Sequence, residues 1–263
     1  MSNGKSNSAT PLIIIGAVLV IAVIGIWYLM NRDKTPQKPA PNANATPSKP
    51  GSPTPPPVAP IGAQPPNQQG SPNASVTVEE FADFQCPTCG AKHPIMKEII
   101  STYGSRIRFI FRNYPLEIPA HDKAYEAATA AEAAGLQGRF WDMQNLLFTN
   151  QQTWSANPDY RKVWEGYATQ LGLDVEKFKN DMAGLNAKSR VDADKQRGKA
   201  LNVNSTPSVF VNGMLVPFEQ MSVEGLRQII DGELSKAQSA PSNNASKDKP
   251  DASVTGDKPS NTK

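Results

Sequence analysis

The sequence has little cysteine and little histidine. Two of its 263 residues are cysteine, Cys86 and Cys89, and two are histidine, His93 and His121. A second C-x-x-C pair or an H-x3-5-H pair, which the usual zinc modules need, does not occur, and the spacing of the histidines fits no familiar zinc module. Half a zinc site is therefore the weaker interpretation of the C-x-x-C spacing, and a redox pair is the stronger one.

A large excess of either charge is absent from the central part of the chain. The whole sequence contains 27 Lys and Arg and 24 Asp and Glu. Residues 1–73 and 238–263 together hold nine of these bases and four of the acids, so the part between them is close to neutral. A nucleic-acid-binding domain is expected to carry a concentrated basic patch, and this balance gives no support to nucleic acid as a partner.

Residues 12–30 contain no charged side chain and are predicted to form a transmembrane anchor. The run has about the 20 residues that a helix needs to cross a bilayer, and Trp27 and Tyr28 lie near one end, where interfacial aromatic residues are common. It is longer than the apolar region of about 7–15 residues in a signal peptide, and no small-x-small site follows it directly. An uncleaved single-pass helix is favoured, preceded by a short polar N-terminus at residues 1–11.

Charge and function predict opposite orientations for this anchor. Lys5 precedes the anchor and three basic residues within 32–38 follow it, so the positive-inside rule would place the large domain in the cytoplasm. That charge is partly offset by Asp33. A single C-x-x-C pair behind a long spacer suits a function outside the cytoplasm. We therefore expect the domain on the extracytoplasmic side, in the periplasm or at the cell surface.

Two segments are rich in small and polar residues. Residues 31–73 are crowded with Pro, Asn, Ala, Gln, Ser and Gly and lack the apolar mass to bury a core. We predict a disordered Pro-rich spacer that reaches about 3 Å per residue where it is polyproline-like; a proline-motif ligand for a recognition module is the alternative. Residues 238–263 are predicted to be a disordered tail. One domain with a single core is then expected at residues 74–237.

A strand followed by a helix is predicted around the cysteines. Apolar residues of one parity between Val76 and Phe84 mark a strand face, and Glu80 shares that parity, so a carboxylate is predicted among apolar side chains. Pro87 suits the first turn of a helix, where its missing N–H would have no partner.

The predicted helix start distinguishes the two thiols. A thiol at a helix N-terminus faces the positive end of the helix dipole and unpaired N–H groups, which depress its pKa. Cys86 is therefore predicted to be the attackable, partly exposed sulfur. Cys89, one turn further into the helix, is predicted to be more buried and to act as the resolving thiol.

The remaining pattern predicts an α/β fold with a helical insertion. Residues 106–112 alternate over most of their length and complete a strand–helix–strand unit, which implies parallel pairing and a right-handed crossover. Helical periodicity follows over about residues 119–200. A hairpin is then predicted around Asn212-Gly213, a pair that suits a two-residue turn with positive φ at both positions, and a last helix ends the domain.

Three stretches together resemble the DsbA-like branch of the thioredoxin superfamily, the cell-envelope thiol-disulfide oxidoreductases. They are EFADFQCPTC at residues 80–89, FRNYPL at residues 111–116 followed by His121, and STPSVFVNG at residues 205–213. A lone C-x-x-C or Thr-Pro would be weak, whereas the three together are specific. The resemblance covers residues 74–237 and implies a thioredoxin-like fold built as βαβ, a helical insertion and ββα.

The resemblance implies roles for the residues of the C-x-x-C motif. Cys86 would be the nucleophilic sulfur that faces the substrate, Cys89 its partner, and Pro87 and Thr88 would tune the pair. Where this sequence has Thr88, the strongest oxidants of the family carry His. Because Thr adds no positive charge, a less oxidising potential is expected, though one above that of thioredoxin-type reductants.

Residues outside the motif also match family positions. Pro207 would be a cis-proline packed beside the disulfide, and Thr206 would offer backbone hydrogen bonds to an extended substrate. Glu80 falls where the family has a buried acid under the active site, a solvated strand-edge carboxylate being the alternative. His121 matches a family position, but no chemistry is assigned to it.

The implied activity is donation of the Cys86–Cys89 disulfide to exported protein thiols, with no metal and no cofactor other than that disulfide. Since the chain has no third cysteine, a separate membrane oxidase, quinone-linked by analogy with the family, would reoxidise the pair. A monomer is expected, because the Pro-rich spacer offers no dimerisation domain of the kind that isomerases of the superfamily carry. The alternatives are a disulfide isomerase or reductase of the same fold and a non-catalytic zinc- or peptide-binding module.

Overall fold

The computed structural model describes residues 59–239. Within that range, one mixed sheet of five strands is surrounded by helices. The strands are β1 Asn67–Gly70, β2 Val76–Ala82, β3 Ile107–Asn113, β4 Ser208–Val211 and β5 Met214–Leu215, and they lie in the order β1-β3-β2-β4-β5. The α-helices are α1 Pro87–Tyr103, α2 Ala124–Gly135, α3 Phe140–Thr149, α4 Gln151–Ser155, α5 Tyr160–Gln170, α6 Val175–Ala183, α7 Leu185–Ala200 and α8 Val223–Ser239. This order contains the predicted βαβ unit, helical insertion and ββα unit.

Strand β2 is the centre of the sheet and ends directly before the cysteines. It pairs in parallel with β3 and antiparallel with β4, and six of its seven residues are buried. Both of its faces are covered, since Val76 and Val78 belong to the main core whereas Phe81 packs with Tyr114 and Phe210 on the other side. The strand thus holds the start of α1 in a fixed place at its carboxyl end.

The hairpin between β4 and β5 has the predicted turn. Asn212 and Gly213 have φ values of 48° and 79°, so both residues are in the left-handed region that this turn requires. The backbone N–H of Asn212 donates to the carbonyl of Thr77 over 2.9 Å, and the Asn212 side chain accepts from the N–H of the same threonine. The turn is therefore fastened to the central strand.

The folded domain begins earlier than predicted. Strand β1 lies within residues 31–73, which were predicted to be a disordered spacer, and it pairs antiparallel with β3 at the edge of the sheet. For its last part the spacer prediction is therefore wrong. The segment has few apolar residues, but edge pairing needs backbone groups rather than an apolar side-chain pattern.

Arginine side chains hold the residues just before β1. Arg197 donates to the carbonyl of Pro60, and Arg112 donates to the carbonyls of Ile61 and Ala63. Each guanidinium also pairs with the buried carboxylate of Glu79, at 2.7 and 2.6 Å. Backbone carbonyls of a Pro-rich segment are thus satisfied by charged donors, an arrangement that composition alone does not reveal.

The predicted anchor at residues 12–30, most of the spacer and all of the tail beyond Ser239 lie outside the described residues. Among the helices between residues 59 and 239, none combines the length and the apolar character that crossing a membrane requires.

Candidate active site

Cys86 lies at the junction of strand and helix that the sequence predicts. It is the N-cap residue of α1, with extended backbone angles of φ −71° and ψ 119°, and Pro87 occupies the first turn. The N–H of Cys86 donates to the carbonyl of Asp83 over 3.1 Å, which closes a tight turn between β2 and the helix. The Cys86 sulfur therefore lies at the helix N-terminus, where unpaired N–H groups point outward.

The Cys86 sulfur is stabilised as a thiolate. A hydrogen bond donated by the Cys89 thiol is the main cause that lowers the pKa of Cys86 to about 5, and the N–H groups of Cys89 and Thr88 contribute as well. Burial acts in the opposite direction, since the residue is only 6% exposed. The hydrogen bonds outweigh the loss of solvation.

Cys89 has the opposite preference. Burial raises the pKa of Cys89 well above its ordinary value. The hydrogen bond that Cys89 donates to Cys86 raises it further, and so does the negative charge of the nearby Glu80 carboxylate. The residue is 1% exposed. Both cysteines are free, and in this reduced pair the two opposite pKa shifts favour a thiolate at Cys86 and a protonated thiol at Cys89.

Thr206 and Pro207 lie directly beside the Cys86 sulfur. The Thr206–Pro207 peptide bond is cis, and the Cys86 sulfur lies 3.4 Å from the Thr206 carbonyl oxygen, to which it donates when it is protonated. The Thr206 hydroxyl is buried and has no hydrogen-bond partner within residues 59–239. It can donate to the sulfur once Cys86 ionises, which also lowers the pKa of Cys86.

Glu80 lies among apolar side chains of the central strand. It is 3% exposed, its neighbours on the adjoining strands are Phe111 and Val209, and within the described range its carboxyl group makes no side-chain hydrogen bond. Burial raises the pKa of Glu80 to about 8. The solvated alternative is excluded by this position.

The sequence reasoning missed Gln151, a residue of the helical insertion. Its side-chain amide is buried and donates to the carbonyls of Phe84 and Cys86 over 2.7 and 2.8 Å. A Cβ on Gly90 would lie 2.8 Å from Gln151 Oε1, so the glycine after the motif allows this approach. No spacing rule connects a glutamine to a motif more than 60 residues away.

The sequence reasoning also missed a group of polar residues on the other side of the same turn. The Asp83 carboxylate, with a side chain 0% exposed, accepts from His121 Nδ1 over 2.6 Å. Two residues further along, Gln85 accepts from the N–H of Lys123 and donates to the Asp122 carboxylate. The position of His121 in the sequence motif was a usable signal, but its partner was not apparent from the sequence.

The two histidines do not join the cysteines. Besides the contact of His121 with Asp83, the His93 ring lies 3.2 Å from Asn145 Oδ1 and packs against Phe148. Between residues 59 and 239, no three His, Cys, Asp or Glu side chains are grouped so that they could hold a metal ion.

Curated relatives share about a third of their aligned residues with this chain. A protein named Na(+)/H(+) antiporter NhaA 1 from Mycolicibacterium gilvum is 37% identical over 158 residues, which are 59% of this chain and 25% of that protein. Another, named Na(+)/H(+) antiporter NhaA 3, from Salinispora tropica, is 36% identical over 156 residues, 59% of this chain and 23% of that protein. The chain spans about a quarter of the length of these relatives.

Solved structures share the fold. BdbD from Bacillus subtilis, in its oxidised form, has a TM-score of 0.58 at 22% identity, over 67% of this chain and 98% of that one. A thioredoxin-like oxidoreductase from Silicibacter pomeroyi has a TM-score of 0.53 at 24% identity, over 67% and 94%. The thiol-disulfide exchange protein α-DsbA2 from Wolbachia pipientis has a TM-score of 0.54 at 19% identity, over 64% and 86%.

A family model described as thioredoxin matches residues 64–232, which is more than half of the chain. The match includes the sheet from β1 to β5 and both cysteines. The chain therefore belongs to this thioredoxin family.

Proposed function

We propose that this protein is a membrane-tethered thiol-disulfide oxidoreductase that donates its Cys86–Cys89 disulfide to exported protein thiols. The observation that carries the proposal is the polarisation of the pair, in which the pKa of Cys86 is lowered to about 5 while the pKa of Cys89 is raised. A thiolate that is stable at neutral pH is a good leaving group, and it stabilises the reduced protein.

The reaction begins with attack on the oxidised protein. A substrate thiolate forms a bond to the Cys86 sulfur, and the bond between Cys86 and Cys89 breaks. The electron pair of that bond leaves on Cys89, which takes up a proton because its pKa is raised. The product of this step is a mixed disulfide between the substrate and Cys86.

A second substrate thiolate completes the transfer. It attacks the substrate sulfur of the mixed disulfide, a substrate disulfide forms, and Cys86 leaves as a thiolate. Two electrons have passed from the substrate to the protein, and the two thiols of the substrate have given up two protons. One proton stays on Cys89 and the other enters the solvent, since Cys86 remains ionised at neutral pH.

The lowered pKa has a consequence for the reduction potential. At pH 7, about two pH units separate the solution from the pKa of about 5 for Cys86, which favours the reduced protein by roughly 2.7 kcal/mol. For a two-electron couple, this free energy corresponds to about 60 mV in the oxidising direction. This supports donation of the disulfide over reduction, which would use the same residues.

Substrate binding is proposed at the loop that carries the cis-proline. The Thr206 carbonyl lies 3.4 Å from the Cys86 sulfur, so an extended substrate whose thiol reaches Cys86 must pass this residue. Backbone hydrogen bonds from the substrate to Thr206, with Pro207 against the disulfide, would orient the attacking thiol. Specificity for sequence is not required, because main-chain groups are the same in every substrate.

The proposed setting is the outer face of a membrane. The apolar run at residues 12–30 would anchor the protein in the lipid bilayer, and the domain would act in the periplasm or at the cell surface as a monomer. A membrane oxidase would reoxidise the pair, and confinement to one surface would raise the effective concentration of both proteins. We do not extend antiport to this chain, since it spans only about a quarter of the relatives that carry that name.

The test is oxidation of a reduced, disulfide-requiring protein by the oxidised full-length chain in detergent. We expect recovery of the substrate's activity together with reduction of Cys86–Cys89, and no oxidation of the substrate by Cys89→Ala, which cannot form the disulfide. Cys86→Ala is the inactive control. No oxidation, or a reduced dithiol that is purified with one equivalent of zinc, would favour the binding-module alternative.

A further inference from the structure

We infer that Asp83 and His121 are positioning residues for the redox pair. Neither touches the reacting sulfur with its side chain, but together they fix the backbone turn at residues 83–86 that places both thiols. The inference rests on the proposed function, since it names residues that set the properties of the same dithiol.

The Asp83 backbone contacts both cysteines. Its carbonyl accepts from the N–H of Cys86 over 3.1 Å, and its backbone acts to lower the pKa of Cys89, against the rise caused by burial. A rotation of this one residue would therefore move the helix N-cap and change the surroundings of both sulfurs. The orientation of Asp83 matters for this reason.

The Asp83 side chain is held by three donors. Oδ1 accepts from the N–H of Gln85 over 2.7 Å, and Oδ2 accepts from the N–H of Leu116 over 2.9 Å and from His121 Nδ1 over 2.6 Å. The first bond lies within the turn, and the other two connect the turn to the loop that follows β3. The imidazole is the only one of the three donors that is a side chain, and thus the only one that substitution can remove.

The second connection between turn and loop passes through Gln85. Its Oε1 accepts from the N–H of Lys123 over 2.8 Å and its Nε2 donates to Asp122 Oδ1 over 3.0 Å. The loop thus holds the turn at both Asp83 and Gln85. Gln151 holds the carbonyls of Phe84 and Cys86 from the opposite side.

A buried carboxylate destabilises a protein unless its hydrogen bonds offset the free energy of desolvation. Asp83 is 1% exposed, and desolvation of a charged group costs several kcal/mol unless it is well hydrogen-bonded. An asparagine could still accept from Gln85, but its NH2 group could not accept from two donors at the Oδ2 position. The site therefore needs a carboxylate on one side and a donor at the Nδ1 position on the other.

The test compares three substitutions of His121 in the full-length chain. Asparagine places an amide nitrogen near the position of Nδ1, glutamine places it near Nε2, and alanine removes the donor. We expect His121→Ala and His121→Gln to raise the pKa of Cys86 and to shift the equilibrium constant with glutathione about three- to tenfold towards the oxidised protein, which is about 15–30 mV. His121→Asn is expected to retain most of the wild-type values.

The control for a purely structural effect is Asp174→Ala. Asp174 caps α6 by accepting from the N–H of Lys177 over 2.9 Å, so its loss should lower the free energy of unfolding by about 1 kcal/mol without moving the glutathione equilibrium. If His121→Ala and His121→Gln lower only the unfolding free energy, as Asp174→Ala does, the positioning role is wrong. If the wild-type chain itself fails to exchange with glutathione, the proposed function is wrong instead.

Discussion

At Cys86, burial and hydrogen bonding shift the pKa of the thiol in opposite directions. Burial favours the neutral thiol, whereas donors from Cys89, Thr206 and the helix N-terminus favour the thiolate. The donors prevail because they are already oriented by the helix start and by the adjoining loop, so no ordering cost remains when the charge appears. The same pattern leaves Cys89 protonated.

The reduced protein should gain stability over the oxidised one as the pH rises from 5 to 8. The pKa of Cys86 is lowered to about 5 in the folded state, so the unfolded chain holds this proton up to a higher pH and the reduced form gains about 1.4 kcal/mol per pH unit. The gain disappears as the pH falls through 5. Denaturant titrations of the two wild-type forms measure this slope, and Cys86→Ser, which has no oxidised form, should show the pH dependence of the oxidised wild type.

Thr88→His should raise the reduction potential. The N–H of Thr88 already helps to lower the pKa of Cys86, so a histidine cation at this position would lie near the thiolate. A glutathione titration measures the potential, and Thr88→Val, which adds no charge, should stay close to wild type. An unchanged or lower potential for Thr88→His would contradict the electrostatic account.

Two neighbouring carboxylates should respond in opposite ways to neutral substitution. Burial raises the pKa of Glu80 to about 8, so the contribution of this residue to wild-type stability falls between about pH 4.5 and 8. Glu80→Gln should therefore be more stable than wild type by about 2–4 kcal/mol at pH 8 but not at pH 4. Burial also acts to raise the pKa of Glu79, but hydrogen bonds from Arg197 and Arg112 lower it. Glu79→Gln should therefore lose about 3–5 kcal/mol at pH 8. Urea denaturation at both pH values distinguishes the two, and equal responses would refute this assignment.

At the scale of elements, a glycine allows helix α7 to approach the sheet closely. Gly198 lies against Tyr114 and Phe81, and a Cβ there would come within 2.6 Å of a Tyr114 ring carbon. The Tyr114 hydroxyl donates to the carbonyl of Val203 over 2.7 Å, so the ring is not free to turn away. The glycine therefore sets the distance between the helical insertion and the strand that leads to the cysteines.

Two Gly→Ala substitutions in helices should have opposite signs. Gly198→Ala should destabilise the domain by about 1–3 kcal/mol, because the methyl group meets a fixed aromatic ring. Gly166→Ala, in α5, has no neighbour within 4 Å of the new Cβ and should stabilise the domain by about 0.5–1 kcal/mol. Thermal unfolding measures both, and a stabilised Gly198→Ala would show that the ring can move.

At the scale of the whole molecule, the folded domain includes the last part of the segment that was predicted to be a spacer. Three arginines bind carbonyls of this segment, since Arg190 adds contacts with Gln64 and Pro65 to those of Arg112 and Arg197. Each arginine is in turn paired with a buried carboxylate. This segment is therefore attached to the sheet through the domain's own ion pairs.

A domain that starts at Ala74 should be much less stable than one that starts at Ala59. The shorter form lacks β1 and the carbonyls that satisfy three guanidinium groups, and each hydrogen bond to a charged group is worth about 1.5–3 kcal/mol. We expect a loss of more than about 3 kcal/mol in the free energy of unfolding. Removal of the last two residues of α8, which are exposed, is the control and should cost less than about 0.5 kcal/mol. Equal stability of the two forms would show that the arginine contacts contribute nothing.

The local pattern of the chain was sufficient for the elements next to the cysteines. Period-two alternation around Glu80, a proline at the first helical position and an Asn-Gly turn each predict structure within a few residues, and the fold has all three. Strand β1 was missed because edge pairing uses backbone groups and leaves no pattern in a segment rich in Pro, Asn and Gln.

The sequence by itself determined that one thiol pair exists, that a helix begins between its members, and that a carboxylate lies among apolar residues behind them, because these properties depend on neighbours along the chain. Only the tertiary structure decided what surrounds the pair. Gln151, His121 and Thr206 reach the turn from segments 38 to 120 residues away. Hydrogen bonds over such separations depend on how helices and loops pack against the sheet, and no periodicity in the sequence encodes them.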